Sequence, residues 1–459
     1  MKAADVNSYF SSYFNQESEK GDFLERQQML RKAAKVRFLE QGMPDASCEA
    51  WRNFPWERIL KNSYRICLNP QAYHPEEASF QCDNQEIHST QFTFLNGWYL
   101  HDNAPLTRFP NGMIMGSLRA ACRECPELVN PYFQSAVDDG DGWVHFNAAL
   151  WQDGFFVYVP SRLQLRDPIQ LVNWVKSDES LLIQMRNLIV VGEGASLKLV
   201  HCDESLKSEH SFVNSVTEIC VGKQAHFDYY KLENKDNQAF LVNHLLIRQE
   251  AESEVNTHTS TFNGGVVSNS IRVLLEGERA RVCNNGLYLA DGKQYVSNDV
   301  FICHQAVGCV SNQLYKGILD DDAQSAFIGH VLVKPHAQAT EAHQINRNIL
   351  LKDTARITAK PFLEIYADDV QCTHGATVGQ LDEQAVFYLR SRGICERNAR
   401  LLLMHAYAKE VIDKMDIPAI ADRTEGLVEK RLAGENITCT NCMAHCCSTP
   451  DFHIKAPDF

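Results

Sequence analysis

The chain has 459 residues, with 58 acidic against 44 basic side chains and a net charge of −14. That balance argues against a nucleic-acid surface, which needs a basic footprint, and against adhesion to anionic membranes. No apolar run approaches the roughly 18 residues of a membrane helix, and the first residues lack the apolar core of a signal peptide, so the expected location is the cytosol.

The first 150 residues read as a helical domain. "GDFLERQQMLRKAAKVRFLEQG" places Phe23, Leu24, Met29, Leu30, Ala33 and Val36 at helical spacing, and Gly42 follows as a stop. All six tryptophans lie at or before Trp174, a shift in composition that marks a boundary near there. The 16 cysteines of a cytosolic chain are expected to stay reduced, most of them as small core residues.

Residues 151–381 read as β-structure. Short β-branched and aromatic runs alternate with Gly, Asn and Asp turns, and small residues recur at Ala195, Ala225, Ser253, Ala280 and Gly308. That period suits a parallel β-helix, with a large β-sandwich as the alternative. Later copies near Ala326 and Ala355 fall out of phase. "VVGEGASLKLV" starts like a dinucleotide site, but strand alternation continues past Gly192 and Gly194, so a β-turn is expected. The chain has no GxxxxGK[ST] phosphate loop.

"KPFLEIYADDVQCTHGATVGQLDEQAVFYLRSRGI", residues 360–394, carries the candidate chemistry. Glu364, Asp368 and Asp369 are candidates for acid–base work or calcium in a β-helix carbohydrate-active enzyme; the alternative is a solvated turn. Cys372 and His374 share one strand face, and thiolate with imidazole suits iron or zinc. Two donors do not complete a site, so a second pair must come from elsewhere or from another chain. Two ordinary solenoid residues fit the same pattern.

Helical spacing returns at residue 382 and continues to Gly434, with a break at Gly393. Phe387, Tyr388, Leu389, Leu401, Leu402 and Tyr407, with Arg390 and Arg392 on the rim, have the composition of interface anchors. Residues 435–459 form a tail in which Cys439, Cys442, Cys446 and Cys447 sit near His445 and His453. The Cys-x2-Cys spacing suits zinc or an iron–sulfur cluster; the alternative is a tail with incidental thiols.

Residues 360–394 as a whole resemble the signature of the SufB/SufD family of the SUF iron–sulfur cluster assembly system. "GLYLADGKQYVSNDVFICHQAVGCVSNQLYKGILDDD", "NAALWQDGFFVYVP" and "GMPDASCEAWRNF" are similar to other segments of that family, and the resemblance spans about residues 20–430. Ala355 stands where SufB-type chains have a cysteine, and Gly375 in "HGATV" where they have a glutamate, which points to the SufD branch. The resemblance implies a right-handed parallel β-helix flanked by N-terminal and C-terminal helical domains. It also implies a non-catalytic scaffold working with SufB and the SufC ATPase, with no tightly bound cofactor. His374 and Cys372 would then lie at the SufB–SufD interface where a transient cluster forms, and the segment from 382 would dock SufC. A homodimer is expected when SufB is absent.

Overall fold

A computed structural model describes residues 3–15, 23–70, 89–101, 104–135, 140–208 and 210–434. From Phe155 onward the strands alternate between two sheets, and each strand pairs in parallel with the strand two places on in the chain. Two consecutive strands and their turns therefore make one coil, and about seven coils stack into a β-solenoid. Strands buried on both faces explain the near-continuous apolar runs of the central segment. Leu181–Val191, for example, is buried along its whole length.

The recurring small residue has a structural cause. Six successive turns into the second sheet each hold one residue with positive φ: Gly194 (63°), Gln224 (56°), Glu252 (60°), Arg279 (58°), Gly308 (72°) and Ala339 (55°). The next residue is buried where the coil bends inward: Ala195, Ala225, Ser253, Ala280, Cys309 and Thr340. Strand register aligns Arg281 with Val310, so the counterpart of Ala280 is Cys309 and not Gly308. Ala326 lies inside the strand Gln324–Val333, and Ala355 leads into Arg356–Ile365; both strands belong to the other sheet, which is why these copies fall out of phase.

Register also explains two glycines. Gly286 pairs with Tyr315, and Tyr288 with Gly317, in adjacent coils. Each tyrosine ring occupies the space that a Cβ on the facing glycine would need. Both rings are buried, and each hydroxyl donates to an asparagine: Tyr315 to Asn284 at 2.6 Å and Tyr288 to Asn348 at 2.5 Å.

The N-terminal end of the solenoid is closed. Thr90–Leu95 pairs in parallel with Ile169–Ser177, and Ile114–Ser117 pairs antiparallel with Phe155–Val159, so the first region adds strands to its helices. Helix Gly142–Leu150 is buried throughout. Its Trp143 stacks on Trp56, with ring centroids 5.6 Å apart, inside a cluster with Phe10, Trp51, Phe146 and Phe212.

Helix Glu25–Gln41 forms as the spacing predicts, and Gly42 ends it with φ 74°. It turns the other face inward, however. Gln27, Arg31, Ala34 and Phe38 are buried, while Leu24, Met29, Val36 and Leu39 are exposed. The Arg31 guanidinium donates to the Trp151 carbonyl and lies over the Phe23 ring, while Phe38 on the same face packs on Phe14 and Phe146, so the inward face mixes polar and apolar contacts that an apolar pattern alone does not register.

At the other end of the chain, helices Glu396–Ile412 and Pro418–Leu432 pack against the outer face of the second sheet. Met404, Val411, Ile412, Ile420 and Val428 meet Tyr230, Leu232, Phe262 and Leu289. Arg431 clamps Asp291 with two hydrogen bonds of 2.5 and 2.7 Å.

Gly286→Ala should destabilise the solenoid by about 1–3 kcal/mol, because the added methyl overpacks a buried ring. Tyr315→Phe, which loses one buried hydrogen bond and leaves Asn284 with one partner fewer, should cost about 1 kcal/mol. Urea unfolding of the two variants against wild type checks both values.

Candidate functional site

The final coil consists of Arg356–Ile365 in the first sheet and Val370–Gly379 in the second, and each is the last strand of its sheet. Pro361 lies in the first of these; a residue with no backbone N–H to donate suits an edge strand. The final coil is largely solvent-exposed, unlike the coils before it.

Cys372 and His374 belong to two neighbouring inward-facing columns. The register pairs Ala342 with Cys372 and Gln344 with His374. One coil earlier, the same columns hold Ser311 and Gln313. Ala342, Gln344, Ser311 and Gln313 are all buried, because another coil covers them. Among the described residues no coil covers the last strand, so the same columns emerge at the surface: Cys372 is half-buried and His374 exposed. Gly375, between His374 and Ala376, borders open space: a Cβ at this position would meet no atom within 4 Å. The two donors stand roughly 7 Å apart along the strand and face the same way.

Cys372 packs with Leu363 and Val370 against Val333, Ala337, Ala342 and Ala367. This burial pushes its thiol above the ordinary cysteine range, while a hydrogen bond with the Ala342 backbone pulls the other way. In the isolated chain Cys372 is therefore a protonated thiol at neutral pH, and it must lose its proton to ligate a metal. The packing partners Leu363, Ala342 and Ala367 were not singled out from the sequence. The alternation of Leu363 and Ile365 with Phe362 and Glu364 was the available signal.

The candidate carboxylates do not converge. Glu364 lies on the outer face, where it accepts hydrogen bonds from Tyr366 at 2.7 Å and from His330 at 2.9 Å. These bonds hold its carboxyl below the usual range, the reverse of what a general acid requires. Asp368 and Asp369 are exposed in the turn between the two strands, and Asp369 bonds through its backbone to Ala339 and to the Gln338 side chain.

The proposed docking residues divide into two sets. Asp382 caps the helix Glu383–Ser391, accepting from the backbone N–H groups of Gln384 and Ala385. From that helix Phe387 and Tyr388 project outward, 71% and 57% exposed, with Leu389 half-buried, Arg390 exposed and Arg392 just beyond. Arg392 lies over the Tyr388 ring. Leu401 and Tyr407 instead pack toward the solenoid, where the Lys316 ammonium sits over the Tyr407 ring and donates to its carbonyl at 2.9 Å. Leu402 is partly exposed. A groove lined by Asn348, Thr377, Val378, Leu403 and Tyr407 joins the last strand to these helices. Cys439, Cys442, Cys446 and Cys447 lie outside the described residues.

A family model described as SUF system FeS cluster assembly, SufBD core domain, matches residues 174–407. The chain belongs to the SufBD family. A second model, the SufBD protein N-terminal region, matches residues 5–171. The chain is 29% identical to an iron–sulfur cluster assembly SufBD family protein of Synechocystis, over 75% of this chain and 78% of the relative. It is 26% identical to the iron–sulfur cluster assembly protein SufD of Escherichia coli, over 86% of this chain and 89% of the relative. To SufD of Bacillus subtilis it is 26% identical, over 70% of this chain and 74% of the relative. It is thus an iron–sulfur cluster assembly protein of the SufBD family with SufD homologues, and its core domain includes the final coil. No helix among the described residues is long and apolar enough to cross a membrane.

Alkylation of Cys372 in the isolated chain should still be accelerating at a pH where a free cysteine peptide has levelled off, because burial keeps the thiol protonated. Site-resolved mass spectrometry across an alkaline pH series measures this.

Proposed function

We propose that the chain is a scaffold subunit of a SufBCD-type complex, and that its final coil pairs with the equivalent coil of a SufB-type subunit to form the cluster-assembly interface. The observation that carries this reading is the emergence of two inward-facing columns, as Cys372 and His374, on a strand with no following coil among the described residues. An exposed strand edge is a template for pairing with another chain. The exposed apolar side chains Phe362, Ile365, Tyr366 and Val378 surround it.

Cys372 and His374 supply half of a four-coordinate set; the partner supplies the rest. A thiol held neutral in the free chain gives the half-site little affinity for metal until the partner and the nascent cluster favour its thiolate. The cluster is cargo, held only while the two halves meet. The role is to bind and position; hydrolysis of ATP belongs to a SufC-type subunit. That subunit docks on Phe387, Tyr388, Leu389, Arg390 and Arg392, where aromatic anchors are exposed beside arginines. The groove between Val378 and Tyr407 provides a physical route from the docking helix to the edge. In this reading the protein acts in the cytosol, needs no tightly bound cofactor of its own, and can pair with a second copy through the same edge when SufB is absent.

His374→Ala should leave folding and SufC binding unchanged, since the side chain is exposed, and should lower cluster yield on the reconstituted complex. Normal yield from that complex would refute the role of His374. Docking is tested by Phe387→Asp with Tyr388→Asp. Removing residues 382–459 is a poor test, because it would strip the helices that cover Tyr230, Leu232 and Phe262. The double variant should weaken SufC binding by at least about tenfold, the loss of one hot-spot anchor. Unchanged affinity in a titration with SufC would place the docking site elsewhere.

A further inference from the structure

On the last two described helices lies a second group of metal-ligating side chains. His405 on Glu396–Ile412 and Glu425 and Glu429 on Pro418–Leu432 bring one ring nitrogen and two carboxylate oxygens within 4.8 Å of one another. The His405 Nε2 is 3.0 Å from Glu425 and 3.7 Å from Glu429. The Nε2 atom is itself shielded from solvent and makes no hydrogen bond, while the His405 side chain as a whole is 24% exposed. A ring nitrogen facing two carboxylate oxygens, with no hydrogen bond linking them, is an arrangement that a bridging cation would satisfy. Glu425 and Glu429 are one helical turn apart and present the same face.

We propose that His405, Glu425 and Glu429 bind a divalent transition-metal cation, zinc being the best match, that pins the two helices together. Imidazole with two carboxylates is a zinc donor set, and three protein ligands leave a fourth position for water. The imidazole also disfavours magnesium and calcium, which take oxygen ligands. Lys409 is the built-in competitor. Its ammonium donates to both oxygens of Glu425 at 3.2 and 3.1 Å, and it also lies 3.5 Å from Asp413. When a cation takes Glu425, Lys409 has Asp413 as an alternative partner on its own helix. The site uses no residue of the final coil and none of the four tail cysteines, and it stands whether or not the scaffold reading holds.

The test is calorimetric titration with zinc of the full chain carrying serine at positions 439, 442, 446 and 447, so that tail thiolates do not compete. Glu429→Gln changes a largely exposed side chain, so it leaves the fold intact; it should weaken zinc binding by about tenfold or more. His405→Asn should weaken it likewise, and Lys409→Met should tighten it by removing the competitor. Absence of zinc binding, or binding that neither Glu429→Gln nor His405→Asn weakens, overturns the proposal.

Discussion

Everything in this molecule depends on in-register stacking of one coil on the next. A strand in the middle of the solenoid is paired on both sides and covered on both faces, which is how polar columns such as Gln313 and Gln344 survive in the interior. The same rule makes the last coil special. Its residues continue columns that are buried elsewhere, but nothing among the described residues stacks on them. Identical backbone geometry therefore yields core residues in one coil and surface side chains in the next.

The two ends of the solenoid differ accordingly. At the N-terminal end, short strands and an aromatic cluster satisfy the first coil. At the C-terminal end, the helices that follow the last strand cover the outer face of the second sheet, and among the described residues the edge is left free. A free edge that carries a thiol and an imidazole is a liability for a solitary protein and an asset for one that meets a matching edge. Burial of Cys372, which pushes its thiol up, fits that arrangement, because it favours the protonated thiol while the edge is open.

Much of this was legible in the residues. The period of small residues gave the coils, and the Cys372/His374 spacing gave the shared face. Asp382 and Gly393 marked the start and end of the helix Glu383–Ser391. What the residues concealed has physical reasons. The small-residue repeat is one residue out of step only at Gly308, because there the positive-φ position is itself a small residue and the buried counterpart of Ala280 is Cys309. The inward face of Glu25–Gln41 combines Ala34 and Phe38 with buried Gln27 and Arg31, so Met29, Val36 and Leu39 point to solvent. Leu401 and Tyr407 look like docking anchors in sequence but pack toward the solenoid, because a helix lying on a sheet uses the same residue types as a helix meeting a partner.

The central claim is that the edge of the final coil is a pairing surface. Backbone amide hydrogen exchange of residues 356–379, with and without a SufB-type partner, tests it most directly. Marked slowing across Arg356–Ile365 and Val370–Gly379 on complex formation, with little change in the interior coils, is the expected result. A complex that forms while exchange in both strands stays as fast as in the free chain would contradict it.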